Sequence, residues 1–74
     1  MNLNPIKANM TELDLCDGTK ILFSYRTPVA AVINGLYYKT SFKWSNTTTR
    51  HINQWLKGIK AVEMRQDFFD NLIS

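Results

Sequence analysis

Few side chains in this sequence are spaced for covalent chemistry. There is one histidine, His51, and one cysteine, Cys16. The carboxylates nearest His51 along the chain are Glu63 and Asp67, and no cysteine lies beside it. A metal centre takes several such ligands at short, characteristic spacings, so no metal is expected. Serine nucleophiles are available, but spacing alone assembles no set of nucleophile, base and orienting group. The three glycines are too far apart to form a phosphate-cradling loop. The expectation is a protein that is not an enzyme and holds no cofactor.

The residue types do suit the binding of an anion. Ser45, Asn46 and Thr47 are all good N-cap residues, so a helix begins near them. A first helical turn usually carries Asp or Glu, because its N–H groups are unpaired and the dipole there is positive. Here it carries Thr48, Thr49, Arg50 and His51 instead. A phosphate or a partner's carboxylate would complete that helix end, although capping threonines with Arg50 turned to water would explain the same pattern. Upstream, Tyr37, Lys39, Ser41 and Lys43 alternate, which puts a basic and aromatic stripe on one face of a strand. The candidate binding residues are Tyr37, Lys39, Lys43, Thr48, Thr49, Arg50, His51 and Lys57.

The charge map points the same way. The net charge is +3, but no acidic residue falls between Asp17 and Glu63. Lys20, Arg26, Lys39, Lys43, Arg50, Lys57 and Lys60 all lie in that stretch, and the segments flanking it are each net acidic. Such asymmetry suits a phosphate backbone or an acidic protein surface, while a solvated basic face that only keeps the protein soluble is the plainer alternative.

Those residues need a scaffold, and the pattern suggests an α+β fold. Thr11–Cys16 and Lys20–Tyr25 read as strands joined by the loop Asp17-Gly18-Thr19, with Leu15 opposite Ile21 and Leu13 opposite Phe23. Thr27-Pro28 interrupts the next apolar run, so the third strand is Val29–Ile33. Asn34-Gly35 is the strongest hairpin signal, a type I′ pair. It sets Ile33 opposite Leu36, Ala31 opposite Tyr38 and Val29 opposite Thr40. The fourth strand, Leu36–Lys43, would extend that core face through Phe42 toward Trp44. The helix, about Thr47–Lys57, would lay Ile52, Trp55, Leu56 and Ile59 on the sheet, with Trp55 near Phe42 and Trp44, and end at Gly58. Lys60–Met64 reads as a short strand and Phe68–Ile73 as a short helix capped by Asp67; one helix over 60–73 competes. The expected architecture is an antiparallel four-stranded meander packed on one main helix, with a short C-terminal strand and helix.

A chain of 74 residues allows one domain with a thin core. Residues 1–10 read as a flexible arm without the apolar stretch of a signal peptide, and 11–74 as the domain. No apolar run approaches a membrane span. Cys16, alone, forms no internal disulfide and reads as a small, partly buried hydrophobe; a small secreted domain usually has disulfides, so the cytoplasm is expected.

Two motifs carry a resemblance. S-Y-x-T-P-V-A at Ser24–Ala30 and W-S-x-T-T-x-R-H at Trp44–His51 resemble a family of small domains common in bacteriophage genomes and catalogued as a domain of unknown function. The resemblance spans roughly residues 20–57. It implies a phage or prophage origin, host cytoplasm as the location, and no mechanism. The expected function is a phage-type accessory protein binding an anionic partner, nucleic acid first. The alternative is an inhibitor or adaptor bound to an acidic host protein through the basic face, or through a half-apolar face around Ala30, Val32 and Tyr37 that also makes a homodimer possible.

Overall fold

The computed structural model describes residues 2–15 and 17–72. The order is β1 (Asn2–Lys7), β2 (Met10–Asp14), β3 (Thr19–Ser24), β4 (Thr27–Ile33), β5 (Leu36–Thr40), α1 (Asn46–Leu56), β6 (Val62–Met64) and α2 (Gln66–Leu72). The strands form one six-stranded sheet in sequence order. Neighbours are antiparallel except β6, which the crossover through α1 brings back parallel to β5.

The sheet has two more strands than the expected meander. Residues 2–7, read as part of an arm, pair with β2 as an edge strand. Pro5 is tolerated there because an edge strand leaves some N–H groups unpaired anyway. A register shift at Ile6 and a positive φ of 63° at Asn9 turn the chain into β2. The short strand expected at 60–64 is β6, so a single helix over 60–73 does not form. Its helix starts at Gln66, which places Asp67 inside the first turn.

The β2–β3 register differs by two residues from expectation. Leu13 pairs with Ile21 and Thr11 with Phe23, while the Leu15 N–H reaches the Thr19 carbonyl at 3.0 Å. The turn closes at Gly18, whose φ is +89°, so Thr19 belongs to β3 and not to the loop. The expected partly buried Cys16, and the end of the strand placed there, lie outside the described residues. The third strand starts earlier than Val29: Thr27 and Pro28 belong to β4, and the proline sits at a bulge where Leu22 pairs with Ala30 but Phe23 with Pro28.

Both faces of the sheet are covered. On one, Met10, Leu22, Val29 and Ala30 pack with Ile52 and Leu56 of α1, and Tyr37 and Trp55 close the edge of this cluster. On the other, Leu13, Ile21 and Ala31 pack with Phe69 of α2, flanked by Tyr38, Met64 and Phe68. Each fully buried Ile, Leu or Phe contributes about 1.5–3 kcal/mol by leaving water. α1 therefore covers the face opposite to the one expected. Trp55 meets Tyr37 edge-on at 6.2 Å and donates from Nε1 to Glu12 Oε1 at 2.9 Å. It does not pack on Phe42 or Trp44, which are 53% and 46% exposed.

The fourth strand also ends sooner, at Thr40. The Thr40 hydroxyl accepts from the Phe42 N–H at 3.1 Å and donates to Gln66 Oε1 at 2.8 Å. A side chain thus takes over where a ladder partner would continue, and the chain bends toward α1. Ile33 pairs with Leu36 as the Asn34-Gly35 turn requires, and both turn residues have positive φ, 51° and 84°. Space around Gly35 is open, so only backbone strain opposes a side chain there. Gly35→Val should lower stability by about 1–3 kcal/mol, read as a lower urea midpoint with an unchanged m-value.

Candidate nucleic-acid interface

The antiparallel topology sorts the turns between two ends of the sheet. The β2–β3 and β4–β5 turns share one end, where the Asn34 N–H donates to the Gly18 carbonyl at 3.0 Å. The β1–β2 and β3–β4 turns share the other, where the Tyr25 N–H donates to the Asn9 carbonyl at 2.7 Å. The exit of β5 and the start of α1 belong to this second end. It gathers Lys7, Arg26, Lys43 and Arg50 together with the exposed rings of Tyr25, Phe42 and Trp44.

The helix start is built inward. Ser45 is the N-cap, and its hydroxyl oxygen accepts from the Thr48 N–H at 3.1 Å. Thr48 and His51 are 5% exposed and face Ser24, itself 2% exposed. Ser24 Oγ lies 3.1 Å from Thr48 Oγ1 and 2.8 Å from His51 Nδ1. Ser45 Oγ donates to Thr48 Oγ1 at 3.3 Å. One proton order satisfies them all: Ser45 donates to Thr48, Thr48 to Ser24, and Ser24 to a neutral His51. Burial lowers the His51 pKa below its ordinary 6.5, and the charge of Lys7 lowers it further. Lys7 also donates to Gln54, which brings β1 onto α1.

These facts redistribute the expected binding residues. Thr48 and His51 hold the helix to β3, and His51 is disfavoured as a charged donor. Tyr37 is half-buried against Trp55, and with Ala30 beneath α1 the half-apolar face around Ala30, Val32 and Tyr37 is largely taken up inside the molecule. Lys57 caps the far end of α1 in the left-handed region, φ 52°. Lys39, Lys43 and Thr49 do come together, lining one hollow of about 150 Å³ that also touches Glu63. Arg50, the residue after Thr49, is exposed on the first turns of α1, which contain no acid. Thr49 donates its hydroxyl to the Ser45 carbonyl at 3.0 Å.

The exposed aromatics were not among the expected site residues. Alternation along an overlong fourth strand assigns Phe42 and Trp44 to the core. Their rings meet at 4.5 Å and 50°. Trp44 Nε1 donates to Gln66 Oε1 at 3.0 Å, while Gln66 Nε2 donates to the Pro28 carbonyl at 2.7 Å. The indole is thus both exposed and tethered. Tyr25, 53% exposed, has φ 59° at the first position of a two-residue turn, which glycine usually fills. A polar or glycine residue is the ordinary choice at such a position, so an aromatic there is the signal that sequence offered.

The profile of a family of unknown function, DUF8033, matches residues 1–71. The chain belongs to that family. The match includes β1 and reaches well beyond the two motifs that carried the sequence resemblance. No curated protein and no solved structure matches the chain. Among the described residues, no helix is long and apolar enough to cross a membrane.

The buried hydroxyl–imidazole chain leads to two expected outcomes. Ser24→Ala strands Thr48 and His51 and should cost about 1–3 kcal/mol in chemical denaturation. His51, neutral when folded but protonated more readily when unfolded, contributes stability in full above pH 6.5. That contribution falls as pH drops through 6.5 toward the lowered folded value. The melting temperature should decline over this window, and His51→Asn should flatten the decline; a wild-type profile in the variant would remove His51 from the explanation.

Proposed function

We propose that this domain is a non-enzymatic, phage-type accessory protein that binds nucleic acid through the end of the sheet where α1 begins. The observation that carries the reading is the convergence of Lys39, Lys43 and Thr49 on one hollow, with Arg50 exposed next to Thr49 in the chain. Phosphate contacts from Lys43, Arg50 and Arg26 would supply most of the affinity, and the Thr49 hydroxyl would face the same backbone. No acid falls between Asp17 and Glu63, and in the hollow Glu63 is outnumbered by Lys39 and Lys43. Asp67, which also lies toward this end, is 3.8 Å from Arg65. The motif resemblance at Ser24–Ala30 and Trp44–His51 supports the phage origin, and with it a place in the host cytoplasm.

One observation favours a protein partner instead. Leu36 and Val62 are 62% and 57% exposed, and strand pairing sets both next to Tyr38 on the α2 face, Leu36 along β5 and Val62 across on β6. An apolar step of this kind suits a host protein or a second copy of the chain. Capture of a host protein that survives nuclease and is lost in Leu36→Asp would favour this second reading.

Binding to nucleic acid should weaken steeply with salt. Lys43→Ala and Arg50→Ala should each reduce affinity across sequences and reduce the log–log salt slope by about 0.7–0.9 per lost phosphate contact. Thr49→Asp should weaken binding too, while stabilising the helix by about 0.3–1 kcal/mol. Wild-type slopes in both alanine variants would place the contact surface elsewhere.

A further inference from the structure

We infer that the nucleic acid this surface takes is single-stranded, with an unpaired base held against Trp44 and Tyr25. The inference rests on the nucleic-acid reading above and adds what the basic residues alone do not specify. Tyr25 and Trp44 line a single hollow of about 200 Å³, with Ser24, Ser45 and Thr48 among the groups around it. Its volume suits a planar heterocycle, and the hydroxyls around it are already bonded among themselves. Duplex DNA presents stacked bases and phosphates to a protein surface, and has no free ring face for an exposed indole.

The two aromatics are exposed at a cost the fold does not need. Trp44 is 46% exposed, yet it is fixed by its bond to Gln66 and by the ring of Phe42. A tethered indole offers a ready stacking surface, because little motion is lost when a base lands on it. Tyr25 occupies a left-handed backbone position, φ 59°, that glycine would fill without strain. Its ring stands 6.2 Å from that of His51, at the edge of the same hollow. Backbone strain under an exposed side chain is more readily explained by that side chain's use than by packing. Arg26 follows Tyr25 and Lys43 precedes Trp44, so each aromatic has a cation beside it in sequence. Ring and cation side by side form the usual arrangement for binding a strand whose bases are splayed from its phosphates.

The full-length Trp55→Phe variant leaves Trp44 as the sole tryptophan and allows its fluorescence to be followed. It would be titrated at low salt with oligodeoxythymidylate of about 12 nucleotides and with a duplex of equal length. Saturable quenching by the single strand, and weaker binding of the duplex, are expected. In the otherwise wild-type chain, Trp44→Leu should reduce single-strand affinity by roughly 5- to 150-fold, and Trp44→Phe should restore part of it. Tyr25→Gly should raise the melting temperature and weaken single-strand binding together, a pairing that a purely structural tyrosine does not give. If Trp44→Leu and Tyr25→Gly bind the single strand as wild type does while Lys43→Glu abolishes binding, stacking is overturned and the basic surface stands. Duplex bound more tightly than single strand, without quenching, overturns the inference in the same way. No binding of either oligonucleotide overturns both this inference and the nucleic-acid reading.

Discussion

A helix lies on each face of this small sheet, so the middles of its central strands have no solvent face. Ile21 and Leu22 are consecutive, point in opposite directions, and are both 0% exposed. Ala30 and Ala31 repeat the arrangement on the next strand. The rest of the structure follows from this. β1 and β6 hold the edges, and the crossover through α1 makes β6 parallel. The bulge at Pro28 allows Val29 and Ala30 to serve the same cluster without disturbing Ala31 on the other side. Two thin clusters take the place of one thick core, as they must when 74 residues are spread over three layers.

A double-sided interior leaves polar side chains few places to meet water, and those present are paired. Among the described residues, no buried side-chain nitrogen or oxygen lacks a partner. Ser24, on the α1 face of β3, would be an error in an apolar layer; it is accepted because Thr48 and His51 descend on it from the first turns of α1. Gln66 plays the corresponding part for α2, where it bonds to Thr40, Trp44 and the Pro28 carbonyl. Both helices are therefore placed at their N-terminal ends by directional bonds and along their length by packing. Apolar contacts permit sliding, whereas a hydrogen bond at 2.8 Å fixes register.

Local chemistry was legible in the sequence and tertiary choice was not. Asn34-Gly35 specifies its own turn, because few residue pairs tolerate two positive φ angles, and the register from Ile33–Leu36 to Ala31–Tyr38 follows. The start of α1 and the break between β6 and α2 are equally local. The face that α1 covers is not local. β4 reads Val29-Ala30-Ala31-Val32, apolar in both directions, so alternation cannot choose a side. Once the wrong side is chosen, Phe42 and Trp44 enter the core and Tyr37 faces water, and both are reversed in the structure. β1 was missed because Pro5 and three asparagines give residues 2–9 little strand character; pairing with β2 supplies what propensity does not. Of the eight candidate binding residues, Thr48 and His51 went inside, Tyr37 packed on Trp55, Lys57 capped the far end of α1, Arg50 stayed exposed, and the hollow kept Lys39, Lys43 and Thr49. Residue type alone cannot separate a threonine that caps from one that binds.

The hydrogen-bond pattern also explains how the basic end tolerates strain. Tyr25 and Asn9 are both left-handed non-glycine residues, at φ 59° and 63°, and a bond from the Tyr25 N–H to the Asn9 carbonyl joins their turns. The conformation costs about 1–2 kcal/mol for Tyr25, a large share of the stability of a domain this size, and less for Asn9, since asparagine visits that region readily. The bond lets the turns support each other, and β3 is held below them by Ser24 and its partners on α1. At the opposite end the left-handed positions are Asn34, Gly35 and Gly18, at φ 51°, 84° and 89°, and the far end of α1 has Lys57 at φ 52° as its C-cap. Glycine and asparagine tolerate that region with little penalty, and a helix C-terminus commonly adopts it. Among the described residues Tyr25 is the one aromatic at positive φ, and it sits where the basic residues gather. A turn selected for stability alone would put glycine there, so the choice of tyrosine is the part of this end's chemistry that the fold does not explain by itself.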